Sequence, residues 1–393
     1  MSVRVSDTSD GSRDESVAAG KRRTMKVILV PHGFQEHYTV GFSNALVRQG
    51  MAVDLVTADN LNPDLFDPRV VLVDLGQSTR SDRTTLRKAL RFVWYHLRLI
   101  LFVVSRRDAA VHIMGLLRHE WMTGLIQATV FRLVSQKYVL TVHNILPHDQ
   151  HTPLKKKLYR LIYRLPHLLV VHTPKMKQEL VDMFSIPADK IMVVEHGLND
   201  IVKDVGLDRS DCRARLGIPD GKLALLFFGR IAPYKGLDTL LAAFAQLEDD
   251  TMLLIAGRPI DGDYGRTAAA QIASNARHED VSVFMQWIED HEIEQYFRAA
   301  DALVLPYRHI DQSGVIFLAL RFGIPTIAFD VGEMKKYVTP QTGIVVSGGS
   351  PEDLAAAIRT FQKDTTRFSR DQILEAGGRY QWDNVLAPLL AAY

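Results

Sequence analysis

Short apolar runs alternate with helix-period segments along almost the whole chain. Residues 25–30, 51–57, 70–74, 111–114, 137–142, 168–171 and 191–194 each read as a buried strand, by length and by flanking residues. Helical patterns lie among them at 40–50, 84–104, 153–165 and 175–184. A polar stretch with Gly and Pro, residues 200–221, reads as a linker. Alternation then restarts, with strands at 223–228, 252–256, 281–285, 302–305, 326–329 and 344–346 and helices between them. A short apolar helix at 385–393 closes the chain. This alternation predicts an α/β protein with parallel sheets covered by helices on both faces. With 393 residues and 47% hydrophobic content, the chain can bury two cores, one on each side of the linker.

The first 23 residues are rich in Ser, Asp, Arg and Gly, lack apolar periodicity and read as a disordered tail. No apolar core follows Lys21-Arg22-Arg23, so no secretory signal is read there. The apolar run Leu99 to Val104 is too short to span a bilayer. Net charge is +2 but unevenly placed: residues 1–200 hold 27 Lys+Arg against 19 Asp+Glu, and the remainder 20 against 26. A basic first half suits an anionic partner such as a membrane surface, a phosphorylated acceptor or nucleic acid. No nucleic-acid-binding motif accompanies that charge. The single cysteine, Cys212, excludes an intramolecular disulfide, fits a reducing cytosol and receives no catalytic role.

Candidate chemistry sits where strands give way to helices. The run Leu223–Phe228 ends in Gly229; Arg230 and Lys235 follow on a short loop, and Gly236 precedes a helical pattern. Open α/β sheets bind ligands at strand C-termini, and helix N-termini favour anions. Arg offers phosphate a fork of donors, and Lys a point charge. A second strand, Leu303–Leu305, leads through Asp311, Gln312, Ser313, Gly314 and Val315 into a helix that Gly323-Ile324-Pro325 stops. Ser313 fits an N-cap, and Gly314 permits close backbone approach.

These segments resemble the family 4 retaining glycosyltransferases. The resemblance rests on the Gly229-Arg230…Lys235-Gly236 spacing and on the Asp311–Val315 segment with its Gly-x-Pro ending. It extends from Met25 onward through Leu140–Asn144 and Glu195-His196-Gly197. It implies a GT-B fold: two Rossmann-like doubly wound domains, 24–200 for the acceptor and 201–375 for a nucleotide-sugar, facing a central cleft. A C-terminal helix, 376–393, is implied to pack back on the first domain. The implied activity is metal-independent retaining hexosyl transfer from a nucleotide-diphosphate sugar to a glycan or lipid-linked acceptor, in cell-surface polysaccharide or glycolipid synthesis. Attack on the face of the departing phosphate, which takes the acceptor's proton, is implied as well. No metal site and no further cofactor are expected; Asp261-Gly262-Asp263 reads as a solvated turn.

Residue by residue, the resemblance implies that Arg230 and Lys235 hold the diphosphate with Gly229 and the backbone of Gln312, Ser313, Gly314 and Val315. Gly33 falls at the glycine loop near the donor sugar, although Phe34 replaces a second glycine. Gly257, beside Arg258, is a further phosphate-side candidate, and Trp287 and Ile288 lie where the nucleobase is expected. Asp311 stands at an acid that contacts donor-sugar hydroxyls. Three positions depart from the family pattern. Asp311 replaces a Glu, Ala319 replaces the Glu that grips ribose, and Met114 replaces a sugar-contacting His. His143 is the favoured substitute for that His, ahead of His148 and His119. Ala319 and Met114 keep open a non-catalytic subunit of the same fold, and another GT-B enzyme, such as a nucleotide-sugar epimerase or a glycogen-type synthase, is the other alternative.

Two basic segments point to the acceptor side. Leu86 to Arg107 carries six Lys/Arg and no acid among Leu90, Phe92, Val93, Trp94 and Leu97. Within Pro153 to Arg164, Leu154, Leu158, Leu161 and Leu165 share one helical face, and Lys156, Lys157, Arg160 and Arg164 fall around another. Such helices either complete a core or lie in a membrane interface. The expected location is cytoplasmic, peripheral on the inner face of the cell membrane.

Overall fold

The structure is a computed structural model, and it describes residues 25–31, 36–58, 61–77, 85–115, 123–145, 152–310 and 313–393. Residues 1–24, Gly33, His119, His148, Asp311 and Gln312 therefore lie outside the described residues.

Seven strands form the first sheet: β1 (Lys26–Pro31), β2 (Ala52–Ala58), β3 (Val71–Gln77), β4 (Ala110–Met114), β5 (Lys137–Thr141), β6 (Leu168–Val171) and β7 (Ile191–Val193). Their order is β3-β2-β1-β4-β5-β6-β7, and all pairs are parallel. The second sheet holds β8 (Leu223–Phe228), β9 (Thr251–Ala256), β10 (Val281–Phe284), β11 (Ala302–Leu305), β12 (Thr326–Phe329) and β13 (Gly343–Val346). Its order is β10-β9-β8-β11-β12-β13, again parallel throughout. Helices cover both faces, so the strands read as continuous apolar runs rather than alternating ones. On the first sheet, Ile28 and Val30 meet Tyr95, Phe131 and Tyr163 on one face. Val27 and Leu29 meet Phe42, Leu46 and Leu386 on the other. A separate core surrounds the second sheet.

In each sheet the strand order reverses once, between β1 and β4 and between β8 and β11. Loops leaving the two strands at such a switch diverge to opposite faces and open a crevice. The loops after β8 and β11 are therefore spatial neighbours although 77 residues separate the paired Leu226 and Leu303.

Part of the stretch read as linker is folded into the second domain. Asp208 caps helix Arg209–Arg215 by accepting from the Ser210 and Asp211 N–H groups at 2.8 and 3.1 Å. Cys212, Leu216 and Ile218 are buried in the second core. So few apolar anchors show no period in the sequence. A helical segment at 123–134 was also not legible: five π-helical residues, Thr123–Gln127, run into α-helix Ala128–Val134 and shift its apolar register.

Helix Trp382–Leu390 packs against helix Glu36–Arg48 of the first domain. Trp382 Nε1 donates to the Leu198 carbonyl at 2.7 Å, and Arg48 pairs with Asp383 at 3.0 Å. The indole fits because Gly41 and Gly197 lack side chains; a Cβ on either would lie 2.0 or 2.3 Å from it.

Candidate active site at the sheet switch

At the end of β8 the chain turns through Gly229 with φ +95°, and its N–H donates to the Ala256 carbonyl at 2.9 Å. A Cβ at Gly257 would lie 1.9 Å from the Gly229 carbonyl oxygen, so the glycine lets the β8 and β9 loops touch. Arg230 is exposed. Pro233–Lys235 makes one 3₁₀ turn and delivers the chain to helix Leu237–Phe244. Gly236, at φ +70°, passes so close to the β11 loop that a Cβ would sit 2.1 Å from the Pro306 carbonyl oxygen. The Arg308 N–H donates to the Tyr234 carbonyl at 2.8 Å, joining the same two loops again.

Lys235 is 5% exposed. Its Nζ lies 5.2 Å from the Tyr307 ring centroid and 3.0 Å from the position of a Cβ on Gly229. Burial brings its pKa down to about 8; Tyr234 opposes the lowering and Arg230 adds to it, and among the described residues no carboxylate is a charge acting on it. The fold thus holds a cation largely out of water.

Helix Gly314–Phe322 begins beside this lysine, for Val315 Cγ2 is 3.2 Å from the position of a Gly229 Cβ. The Ser313 hydroxyl accepts from the Val315 N–H at 3.3 Å and donates to the Tyr307 hydroxyl at 3.4 Å. Its side chain is buried and occupied as a cap, so what it presents outward is backbone. A Cβ at Gly314 would meet nothing within 4 Å. The structure therefore brings together Gly229, Arg230, Lys235, Gly257, Ser313, Gly314 and Val315. Ala319 is fully buried in the second core, so any ribose contact from this helix must come from another position.

Just past β10, Trp287 is 63% exposed and Ile288 is buried in the core, so at these two positions only the indole offers a side-chain face. Asp261 is the N-cap of helix Gly262–Ala273, accepting from the Tyr264 N–H at 2.7 Å, and Asp263 pairs with Arg266. That corrects the reading of a solvated turn: the acid pair opens a helix. Among the described residues no group of three His, Cys, Asp or Glu is placed to hold a metal ion.

The first domain contributes a histidine wall. His143 follows β5, His172 follows β6, and His196 follows β7. His172 Nδ1 is 2.9 Å from the Val194 carbonyl, which can only accept, so that nitrogen carries the proton. Burial, with His196 nearby, pushes the His172 pKa down to about 4, leaving its Nε2 a lone-pair acceptor. His143 Nδ1 lies 2.9 Å from that Nε2 and must donate to it. In neutral His143 the remaining nitrogen, Nε2, is then an acceptor. Tyr38 stands edge-on to His143, His172, His196 and Trp382, with centroids 5.0–5.4 Å away. His196 stacks on Phe317 of helix Gly314–Phe322 at 5.5 Å, linking this wall to the second domain. His37 and Asp290 approach across the cleft at 3.8 Å, and Lys336 pairs with Glu195. His112, two residues before Met114, is buried and its pKa falls to about 3; it is bonded to the Thr141 and Tyr393 hydroxyls.

Sequence reasoning missed Tyr38, His172, Tyr307 and the contacts of His196. A signal existed: three successive neighbouring strands each end within a few residues of a histidine.

Two protein-family models match the chain. One, described as glycosyl transferases group 1, matches residues 208–378; the other, glycosyltransferase family 4, matches residues 35–200. A D-inositol 3-phosphate glycosyltransferase of Geodermatophilus obscurus is 27% identical over 385 residues, covering 91% of this chain and 83% of its own. Sucrose-phosphate synthase from Thermosynechococcus elongatus matches with a TM-score of 0.73 at 20% identity, over 94% of this chain and 98% of that one. Anabaena HepE in complex with UDP matches with a TM-score of 0.74 at 17% identity, over 94% of this chain and 100% of that one. HepE has also been solved in complex with UDP-glucose. The architecture shared with these glycosyltransferase structures is the two-domain α/β GT-B fold.

Proposed function

We propose a donor and a reaction for this chain, which belongs to the family 4 glycosyltransferases and has their GT-B fold. The donor is a nucleotide-diphosphate sugar, and its diphosphate is held between Arg230 and Lys235 on one side and the backbone of Gln312–Val315 on the other. The observation that carries this reading is Lys235, a buried ammonium with no carboxylate neighbour among the described residues, set beside a helix N-terminus. Such a site is costly when empty and favourable once an anion enters. UDP and UDP-glucose in the HepE structures support the same donor class.

Departure of a nucleoside diphosphate builds negative charge, which Arg230, Lys235 and the helix N-terminus stabilise without reorganising. Transfer proceeds with retention: the acceptor hydroxyl attacks on the face that the phosphate leaves, and the phosphate takes its proton. Metal is not required in this scheme. Trp287 stacks on the base, Asp311 and Gly33 border the donor sugar, and His143 accepts a hydrogen bond from a sugar hydroxyl through Nε2. The acceptor is a glycan or a lipid-linked saccharide of cell-surface polysaccharide or glycolipid synthesis, used at the cytoplasmic side of the membrane. A small phosphorylated acceptor is the second reading, favoured by the basic first domain and by the name of the Geodermatophilus relative. Among the described residues no helix is long and apolar enough to cross a membrane.

A panel of UDP-, GDP- and ADP-sugars, followed by proton NMR of the glycoside formed, tests the proposal. An α-linked product from an α-linked donor is expected. An inverted product removes the retaining mechanism, and failure to bind any nucleotide-sugar removes the donor assignment.

A further inference from the structure

We infer that three adjacent helices on one face of the first sheet form a docking surface for an anionic lipid bilayer. This inference stands apart from the donor site and needs no assumption about the reaction.

Helix Thr85–Val104 is apolar on two opposite faces. Its Tyr95, Leu99 and Val103 are buried in the core. At about 100° per residue, Leu90, Trp94, Leu97 and Leu101 fall within a stripe of roughly 60° centred about half a turn away. All four are exposed, Trp94 by 57% and Leu101 by 67%. A core helix needs only one apolar face; the second is exposed, with no core cluster of the described residues packed on it.

The surface continues onto the neighbouring helices. Right-handed crossovers from β3 to β4, β4 to β5 and β5 to β6 all run in one direction, which places their helices on the same side of the sheet. On the middle segment, 123–134, Phe131 is buried while Ile126 and Leu133 are exposed. On Pro153–Arg164, the core takes Tyr159, Ile162 and Tyr163, and Leu154 and Leu161 project outward. The leucine face of that helix is thus only partly used by the core, with Leu158 and Leu165 packed at its margin.

Charge identifies the occupant. Segments 85–104, 123–134 and 153–164 carry four, one and five Lys/Arg and no Asp or Glu. A second copy of this chain would set that charge against itself, whereas an anionic bilayer complements it while its acyl layer takes the apolar stripe. Arg98 lies over the Trp94 ring at 5.1 Å, placing a cation beside the central aromatic. Lys156, Lys157 and Arg164 are exposed. Arg160 is not available to lipid: its Nε donates to the Phe184 carbonyl at 2.9 Å and its guanidinium bonds Ser185, so it belongs to the fold.

Co-sedimentation of the full chain with phosphatidylglycerol/phosphatidylcholine vesicles, against phosphatidylcholine alone, tests this. The protein is expected to sediment with the anionic vesicles only, and less as salt is raised. Trp94→Glu with Leu97→Glu should lower the bound fraction by about tenfold or more with an unchanged melting curve. Lys156→Glu with Lys157→Glu, both on the surface, should weaken binding without any packing change. Absence of sedimentation with anionic vesicles overturns the inference, as does wild-type binding by both variants. A dimer in the ultracentrifuge that the Trp94/Leu97 changes dissolve, without vesicle binding, would assign the face to a second copy instead.

Discussion

The ammonium of Lys235 uses space left by Gly229: a Cβ at position 229 would lie 3.0 Å from Nζ and 3.2 Å from Val315 Cγ2. Gly229 also holds φ +95°, which L side chains rarely adopt. Gly229→Ala should therefore strain the turn by about 1–3 kcal/mol and push the lysine out of place. A lower melting temperature and an affinity for UDP reduced by about tenfold or more are expected. Thermal melts and titration calorimetry measure the two effects separately.

Lys235 itself sets stability against binding. Its pKa is about 8 in the fold and 10.5 in the unfolded chain. Between those values the unfolded chain holds more protons, so stability rises with pH; below about 8 the buried charge costs the fold on the order of 3 kcal/mol. Lys235→Met keeps the bulk and removes the charge. Near neutral pH it should raise stability by about 1–3 kcal/mol while losing most diphosphate affinity. In the wild type, UDP affinity should fall as pH rises past about 8, and the Met variant should lack that dependence. Denaturant titrations and calorimetry at several pH values check both signs.

Gly314 separates the fold from the ligand. A methyl group there meets no atom of the described residues within 4 Å, and the position opens helix Gly314–Phe322. Gly314→Ala should be neutral or stabilising by up to about 1 kcal/mol, because glycine is costly in a helix. If phosphate oxygens approach this backbone, the same methyl should cut donor affinity by about tenfold or more. A melt that does not fall, paired with a weaker titration, is the expected result.

The domain junction carries its own test. A Cβ at Gly197 would sit 2.3 Å from the Trp382 indole, whose Nε1 is bonded to the Leu198 carbonyl. Gly197→Ala should cost about 1–3 kcal/mol by overpacking, and intrinsic fluorescence should report an altered Trp382 environment. Loss of the indole by Trp382→Ala should cost about 3–5 kcal/mol.

Trp287, just past β10, is an exposed aromatic. If it stacks on the nucleobase, UDP should quench part of the tryptophan fluorescence, and Trp287→Ala should remove that quench and weaken binding by about threefold to tenfold. Stability should hardly change, since the side chain is mostly solvated.

Local spacing made the two loops proposed to hold the donor legible as strand–loop–helix turns. Gly229, Arg230, Lys235 and Gly236 occupy one strand–loop–helix unit, and Ser313 to Val315 begin another, so short-range pattern sufficed to name them. Their meeting depends on β8 lying beside β11, a pairing that periodicity does not encode. Tyr38, His172 and Trp382 escaped for the same reason, since each touches residues far along the chain. Leu90, Trp94 and Leu97 were legible as apolar positions in a basic segment, but which of that segment's apolar residues face outward was not, because a helix apolar on two faces shows no single apolar side. Helix Arg209–Arg215 fell inside a stretch read as linker because Cys212, Leu216 and Ile218 are too sparse to mark a period.

The central claim is that Arg230 and Lys235 hold the diphosphate of a nucleotide-sugar. Calorimetric titration of UDP, GDP and ADP into the wild type, Arg230→Ala and Lys235→Met tests it most directly. The wild type should bind at least one of the three, and each variant should bind that nucleotide about tenfold or more weakly. Equal affinity in wild type and both variants would contradict it.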